Sequence, residues 1–230
     1  MGPLVVRAMI TLILVSAAAV VLAWGVRRHP VGALALAVRS TLVVLLVTLV
    51  GFEIVVAARG GWLTLDVMLP LQLCDAATIV AVLALATLDQ RLSELLYFWA
   101  LSGSALALVT PDMSLHASVW EQAAFFGLHG LVIVSAMVLV IGFRRHPRPG
   151  AAWRAFVITN VLVVVDAIVD WALGANYLYL RAKPAHATLL DLMGPWPVYV
   201  VAAEALAFVI FWALALPFVR GSRRAGAAVC

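Results

Sequence analysis

The sequence predicts an all-α fold: a polytopic membrane helical bundle with about seven transmembrane helices. Three observations predict it. Of 230 residues, 66% are hydrophobic and only 11% charged, against about 45–50% and about 25% in soluble domains. The mean hydropathy is +1.12, and a soluble core of this size cannot cover so much apolar surface. Seven apolar runs also reach the roughly 17–25 residues that a bilayer crossing needs, with the charges gathered in short loops between them. Soluble, fibrous and disordered classes are excluded.

The runs lie at about 4–25, 32–58, 66–88, 92–110, 118–143, 152–174 and 196–219. The first could be read as a signal peptide, with Arg7, an apolar stretch and Ala17-Ala18-Ala19. Its apolar stretch continues through Trp24 and halts at Arg27-Arg28-His29, which is the pattern of a retained helix rather than a cleavage site. The fourth run is the shortest. The loops leave no room for a soluble domain, so residues 1–230 are expected to form a single integral membrane domain. No strong internal repeat appears, which counts against the inverted-repeat transporter folds.

Orientation follows from the cations, of which 14 of 15 are Arg. Loops after odd-numbered helices and the C-terminal tail hold eleven with Arg39, and the other side holds Arg7, Arg59, Arg181 and Lys183. The positive-inside rule then places the N-terminus outside and the C-terminus in the cytoplasm. The expected location is the cell inner (cytoplasmic) membrane. Because the cations serve topology, the pI near 9.6 is no argument for a nucleic-acid partner, and none is expected. The two cysteines exclude a disulfide framework or a cysteine-rich metal site. This topology separates them, with Cys74 in the outer half and Cys230 in the cytoplasmic tail.

Ionisable side chains inside a bilayer are costly and are functional candidates. At about 1.5 Å per residue, Cys74 and Asp75 lie roughly 12–14 Å from the outer helix end at Asp66, and His129 roughly 16 Å from Ser118. Asp166 and Glu204 lie roughly 12 Å deep, Asp170 and Glu53 roughly 6–8 Å. Helices two, three, five, six and seven each contribute. The expectation is one buried polar chamber in the outer half of the bilayer, opening outward.

Each candidate also has a plainer reading. A lone membrane cysteine is usually a small hydrophobe. Pro70, however, favours a first helical turn or a kink, and freed N–H groups near Cys74 would favour its thiolate. His129 is either a structural histidine bonded across helices or a base, and Gly127 and Gly130 beside it permit close helix approach. Asp166 and Asp170 share a helix face; they could share a proton or bind a cation, or Asp170 could simply reach the interface. No metal-ligand spacing is present, so no metal and no cofactor is expected. The long loop after the sixth helix carries Asn176, Tyr177, Tyr179, Arg181 and Lys183. Its aromatics suit interfacial anchoring, and its cations suit a phosphate headgroup. With Gln72, Glu53 and Asp170, these residues make a candidate substrate-binding set; the loop could also fold back as a lid.

Several segments carry a resemblance: Leu69-Pro70-Leu71-Gln72-Leu73-Cys74-Asp75, Leu128-His129-Gly130, Trp153-Arg154-Ala155-Phe156, the Asn-Tyr-x-Tyr-Leu-x-x-Lys-Pro run at 176–184, and Leu190-Asp191 followed by Gly194-Pro195-Trp196-Pro197. Together they resemble the YwaF family of bacterial integral membrane proteins, which is similar to the eukaryotic transmembrane protein 164 acyltransferases. The resemblance implies a cysteine-dependent lipid acyltransferase that moves a fatty acyl chain from a phospholipid to a lysophospholipid. It implies Cys74 as nucleophile and His129 as base. Asp75, Asp166 or Glu204 would then orient the imidazole, and water in place of the acceptor would make the same chemistry a lipase. Two other classes stay open: a transporter or binding protein for an ion, protons or a small molecule using Asp166, Asp170 and Glu204, and a structural membrane protein. The oligomeric state is not legible.

Overall fold

The computed structural model describes residues 3–64, 68–114, 117–186 and 188–227; the expectations for Asp66 and Cys230 fall outside them. Among the described residues the chain is all-helical. The seven helices are α1 Pro3–Arg28, α2 Ala33–Gly60, α3 Leu73–Thr87, α4 Gln90–Val109, α5 Val119–Gly142, α6 Ala151–Leu173 and α7 Val198–Ala227. Six are long and apolar enough to cross a membrane; α3, with 15 residues, is an apolar helix of shorter length. The predicted third run of 66–88 is therefore corrected at its start, because the backbone turns at Leu69–Leu71 and Pro70 precedes the helix instead of lying inside it.

The boundaries follow from local chemistry. Pro30 disfavours the helical region for His29 and ends α1. Gly61, at φ 72°, closes α2 in the left-handed region open to glycine. Asp89 caps α4 by accepting from the N–H groups of Arg91 and Leu92; the Leu92 bond first, then the Arg91 bond and the charges of Arg91 and Arg148, hold its carboxyl below the usual range. Ser118 and Glu121 cap the start of α5 reciprocally.

Helix α5 is the centre of the bundle, and α1, α2, α3 and α4 pack around it. Its glycines allow this. A Cβ on Gly130 would lie 2.7 Å from Val15 Cγ2 of α1, and one on Gly127 would lie 3.0 Å from Leu49 Cδ1 of α2. Helix α4 loosens into a π turn at Ala100–Ser104. There Gly103 lies against Leu73, whose Cδ2 would be 2.7 Å from an added Cβ. Helices α6 and α7 pair through Trp153, Phe156, Phe208 and Trp212, with the last two stacked at 4.1 Å. Trp99 Nε1 donates to Thr159 Oγ1 at 2.8 Å and joins α4 to α6.

The starts of α4 and α6 meet around one buried acid. Glu94 accepts from Arg148 Nε at 2.6 Å, Arg154 Nη2 at 2.9 Å and the Arg148 backbone N–H at 3.1 Å. Arg39 closes the end of α3 by donating to the carbonyls of Leu85 and Ala86, each at 2.7 Å. Several of the arginines at this end therefore do more than bias topology.

Candidate functional site

At the opposite end the short helix α3 brings its first turn inside the bundle. Gln72 is the N-cap and Cys74 the second helical residue, so the thiol sits in the first turn of α3. Cys74 and Asp75 of α3 share one cavity with Glu53 of α2, Ser104 of the α4 π turn, and His129 of α5; Thr78, Leu128 and Val132 complete the lining. Its volume is about 10 Å³, enough for about one water. The Cys74 thiol points to Asp75 Oδ1 at 3.7 Å. Thr78 Oγ1 donates to the Cys74 carbonyl at 2.8 Å.

His129 is 8% exposed. Its Nδ1 lies 2.8 Å from the carbonyl of Phe125. A carbonyl only accepts, so Nδ1 carries the proton and Nε2 keeps the lone pair. The Phe125 ring lies against the imidazole with centroids 4.3 Å apart. Backbone geometry and ring packing therefore orient this histidine. Asp166 and Glu204, offered from sequence as its orienting acids, do not line this cavity. Glu204 Oε1 accepts from Asn160 Nδ2 at 2.7 Å between α6 and α7. Asp166 is fully buried, and neither of its oxygens has a partner among the described residues.

The single chamber expected from sequence is thus divided. Glu53, Cys74, Asp75 and His129 meet. Asp170 lines a second cavity of about 240 Å³ with Ala167, Trp171, Leu180 and Arg181. The depths counted from helix ends could not reveal this, because equal depth says nothing about lateral placement.

The loop after α6 folds back over the cysteine end. Leu178 donates its N–H to Gln72 Oε1 at 3.2 Å, so Gln72 anchors the loop. Tyr177 donates its N–H to Asp170 Oδ1 at 2.8 Å. Asn176 Oδ1 accepts from Arg181 N and Ala182 N, each at 3.0 Å. Leu178 and Tyr179 both have positive φ, 50° and 56°, a costly pair for residues with side chains. The strain is held by bonds on either side. Tyr199 donates to the Tyr179 carbonyl at 2.5 Å, and Tyr179 donates its phenol to Asp112 Oδ2 at 2.7 Å. Asp112 Oδ1 meets His186 Nδ1 at 2.9 Å. Burial, then the bonded and charged Asp112, hold the Tyr179 phenol well above its ordinary range, with the nearby Cys74 adding to the effect. Lys183 pairs with Asp191 at 3.7 Å.

Sequence reasoning missed Thr78, Ser104, Asp112, His186 and the Phe125 carbonyl. Thr78 was accessible, since it follows Cys74 by one helical turn. Ser104 was not, because its place depends on the π turn.

The TMEM164 family model matches residues 2–215. The chain belongs to the TMEM164 family. No curated protein and no solved structure matches it. Membership and the six apolar spans make it a multi-pass membrane protein. The TMEM164 match covers all the residues that line both cavities.

Proposed function

We propose that this TMEM164-family chain, a bacterial member of the YwaF type, is a membrane-embedded, cysteine-dependent lipid acyltransferase. It moves a fatty acyl chain from a phospholipid to a lysophospholipid or similar acceptor. The observation that carries the reading is the meeting of Cys74, Asp75 and His129, from two helices, at one cavity with the lone pair of His129 left on Nε2. Nε2 takes the proton of the Cys74 thiol, and the thiolate attacks an acyl ester carbonyl. The first-turn N–H groups of α3 stabilise the developing oxyanion. The C–O bond then breaks, the thioester remains on Cys74, and the lysolipid oxygen leaves with the proton from His129. An acceptor hydroxyl next gives its proton to Nε2 and attacks the thioester, restoring the thiol.

A cavity with room for about one water excludes water as a bulk competitor. It also requires residues 176–181 to move before a lipid ester can reach the thiol. Asn176, Tyr177, Tyr179 and Lys183 belong to that closure. The site lies in the outer half of the inner membrane under the orientation read from the cations. The test is intact mass after incubation with phospholipid vesicles. An acyl-sized, hydroxylamine-sensitive adduct on the wild type, absent from Cys74→Ala and suppressed in His129→Ala, is the expected result. Unchanged lipid product formation by Cys74→Ala overturns the proposal.

One observation favours a second reading. Both carboxylate oxygens of buried Asp166 lack a partner among the described residues, as an ion- or proton-binding protein using Asp166, Asp170 and Glu204 would require. That reading predicts flux that is lost in Asp166→Asn and indifferent to Cys74→Ser.

A further inference from the structure

The serine hydroxyls inside α4 and α5 follow one rule, and Ser104 breaks it. Ser93 and Ser102 of α4 and Ser135 of α5 each donate to the carbonyl four residues back, on Asp89, Phe98 and Leu131, at 2.6–2.7 Å. Back-bonding of this kind satisfies a hydroxyl inside a helix. Ser104 is 2% exposed, and its Oγ has no partner among the described residues. Ser104 ends the π turn Ala100–Ser104, where the carbonyl four residues back, on Ala100, is taken by the N–H of Ala105 instead. A buried hydroxyl without a partner destabilises the fold, and π turns recur at functional sites.

The π turn packs against both α3 and α5, the helices that carry Cys74 and His129, and Gly103 lets Leu73, the residue before Cys74, come close. Ser104 lines the cavity with Cys74, Asp75, Glu53 and His129. Thr78 spends its hydroxyl on the Cys74 carbonyl, and His129 spends its N–H on the Phe125 carbonyl. Ser104 is therefore the uncommitted hydroxyl of this lining. Its Oγ is closed to solvent, so water does not satisfy it while the loop covers the site. Entry of an ester, which requires residues 176–181 to move, opens the cavity. One turn about the Ser104 Cα–Cβ bond, between staggered wells, then aims the O–H into it. When the Cys74 thiolate adds to an acyl carbonyl, the C=O π electrons pass to oxygen, and a donor placed there stabilises the charge. Ser104 keeps its proton throughout, and its bond weakens when C=O re-forms and the leaving oxygen departs. We infer that Ser104 donates a hydrogen bond to the acyl oxyanion, presented by the π turn of α4. The inference rests on acyl transfer at Cys74 and adds a third helix to it.

The test compares two reagents on the full chain in detergent, both read at Cys74 by peptide mass. p-Nitrophenyl laurate acylates the thiol through a tetrahedral oxyanion and releases nitrophenolate. Iodoacetamide alkylates it by direct displacement of iodide, with no oxyanion. Both must pass the same closure, so the ratio of their rates cancels access. Ser104→Ala is expected to slow acylation at least about tenfold, toward the roughly 10²–10³-fold of a lost oxyanion donor, with alkylation changed by less than about twofold. Its Tm is expected to rise, because the uncompensated hydroxyl is gone. Ser102→Ala, in the same π turn but with its hydroxyl committed to Phe98, is expected to keep the wild-type ratio. An unchanged ratio in Ser104→Ala, an equal fall in both rates, or a lower Tm overturns the inference. Alkylation of the wild type without any acylation overturns the acyl-transfer reading, and the inference with it.

Discussion

Gly130→Ala adds one methyl group at a tight α1–α5 crossing, one residue from His129. The added Cβ would sit 2.7 Å from Val15 Cγ2, where carbon atoms prefer about 3.5–4.0 Å. The overlap is about 1 Å. Val15 is β-branched and stiff at χ1, and its methyl lies on a helix rather than at the end of a flexible chain. So α1 must move away from α5 or the Val15 side chain must leave its well. Overpacking of this kind costs about 1–3 kcal/mol. For a chain of this size that is about 2–4 °C in Tm per kcal/mol, or a fall of about 2–12 °C. Val15→Ala in the same background removes the clashing methyl groups. The four proteins of the cycle, followed by thermal unfolding in one detergent, are expected to show the double variant at least about 1 kcal/mol more stable than the sum of the singles. Strict additivity, or a Gly130→Ala variant as stable as the wild type, would refute the claim that this glycine sets the α1–α5 distance.

Three further outcomes are expected. Glu94→Gln removes the charge that Arg148 and Arg154 bond; because the two guanidinium groups are about half exposed, solvent screens part of the interaction and the expected loss is about 1–2 kcal/mol, read as a lower Tm that salt moves less than it moves the wild type. Burial first, then Arg27 and Arg144, hold the His146 imidazole below its ordinary range; the unfolded chain therefore binds the proton more readily, so stability is full above about pH 6.5 and falls as the pH drops toward the folded value. His146→Gln is expected to flatten that acid-side decline in Tm between pH 7.5 and 5, and an unchanged slope would exclude His146 as its source. Asp112→Asn weakens the tie between Tyr179 and His186, and is expected to speed maleimide labelling of Cys74 several-fold, with faster hydrogen exchange across 176–181; equal labelling rates would mean that this loop does not cover the thiol.

The helices were legible because a bilayer writes its thickness into the sequence as long apolar runs, and the runs from Ala33, Val119 and Ala151 begin within a residue of expectation. The start of α3 was not, since the residues before it are as apolar as the helix and only Pro70 marks the turn. At the site, Cys74 and His129 could be picked out as costly groups at membrane depth. Their partners could not. The Phe125 carbonyl has no sequence signature, because every residue carries one. Asp166 and Glu204 sit at depths like those of the cysteine but on helices turned to other neighbours, and lateral position is set by packing such as that of Gly127 and Gly130 on α1 and α2.

The shortness of α3 has a consequence for the lipid around it. Its 15 residues span about 22 Å, against a hydrocarbon thickness of about 30 Å. Were α3 to cross the bilayer, that mismatch would have to be met by non-helical backbone, which is tolerated at such depth only where protein surrounds it, and by local thinning of the bilayer. Such thinning would draw the glycerol ester layer inward beside this one helix. A lipid in that dimple would bring its ester bonds toward the level of Cys74 without lifting its acyl chains out of the hydrocarbon. Lengthening α3 by one turn after Thr87, which leaves Cys74 and the cavity untouched, would separate the two effects.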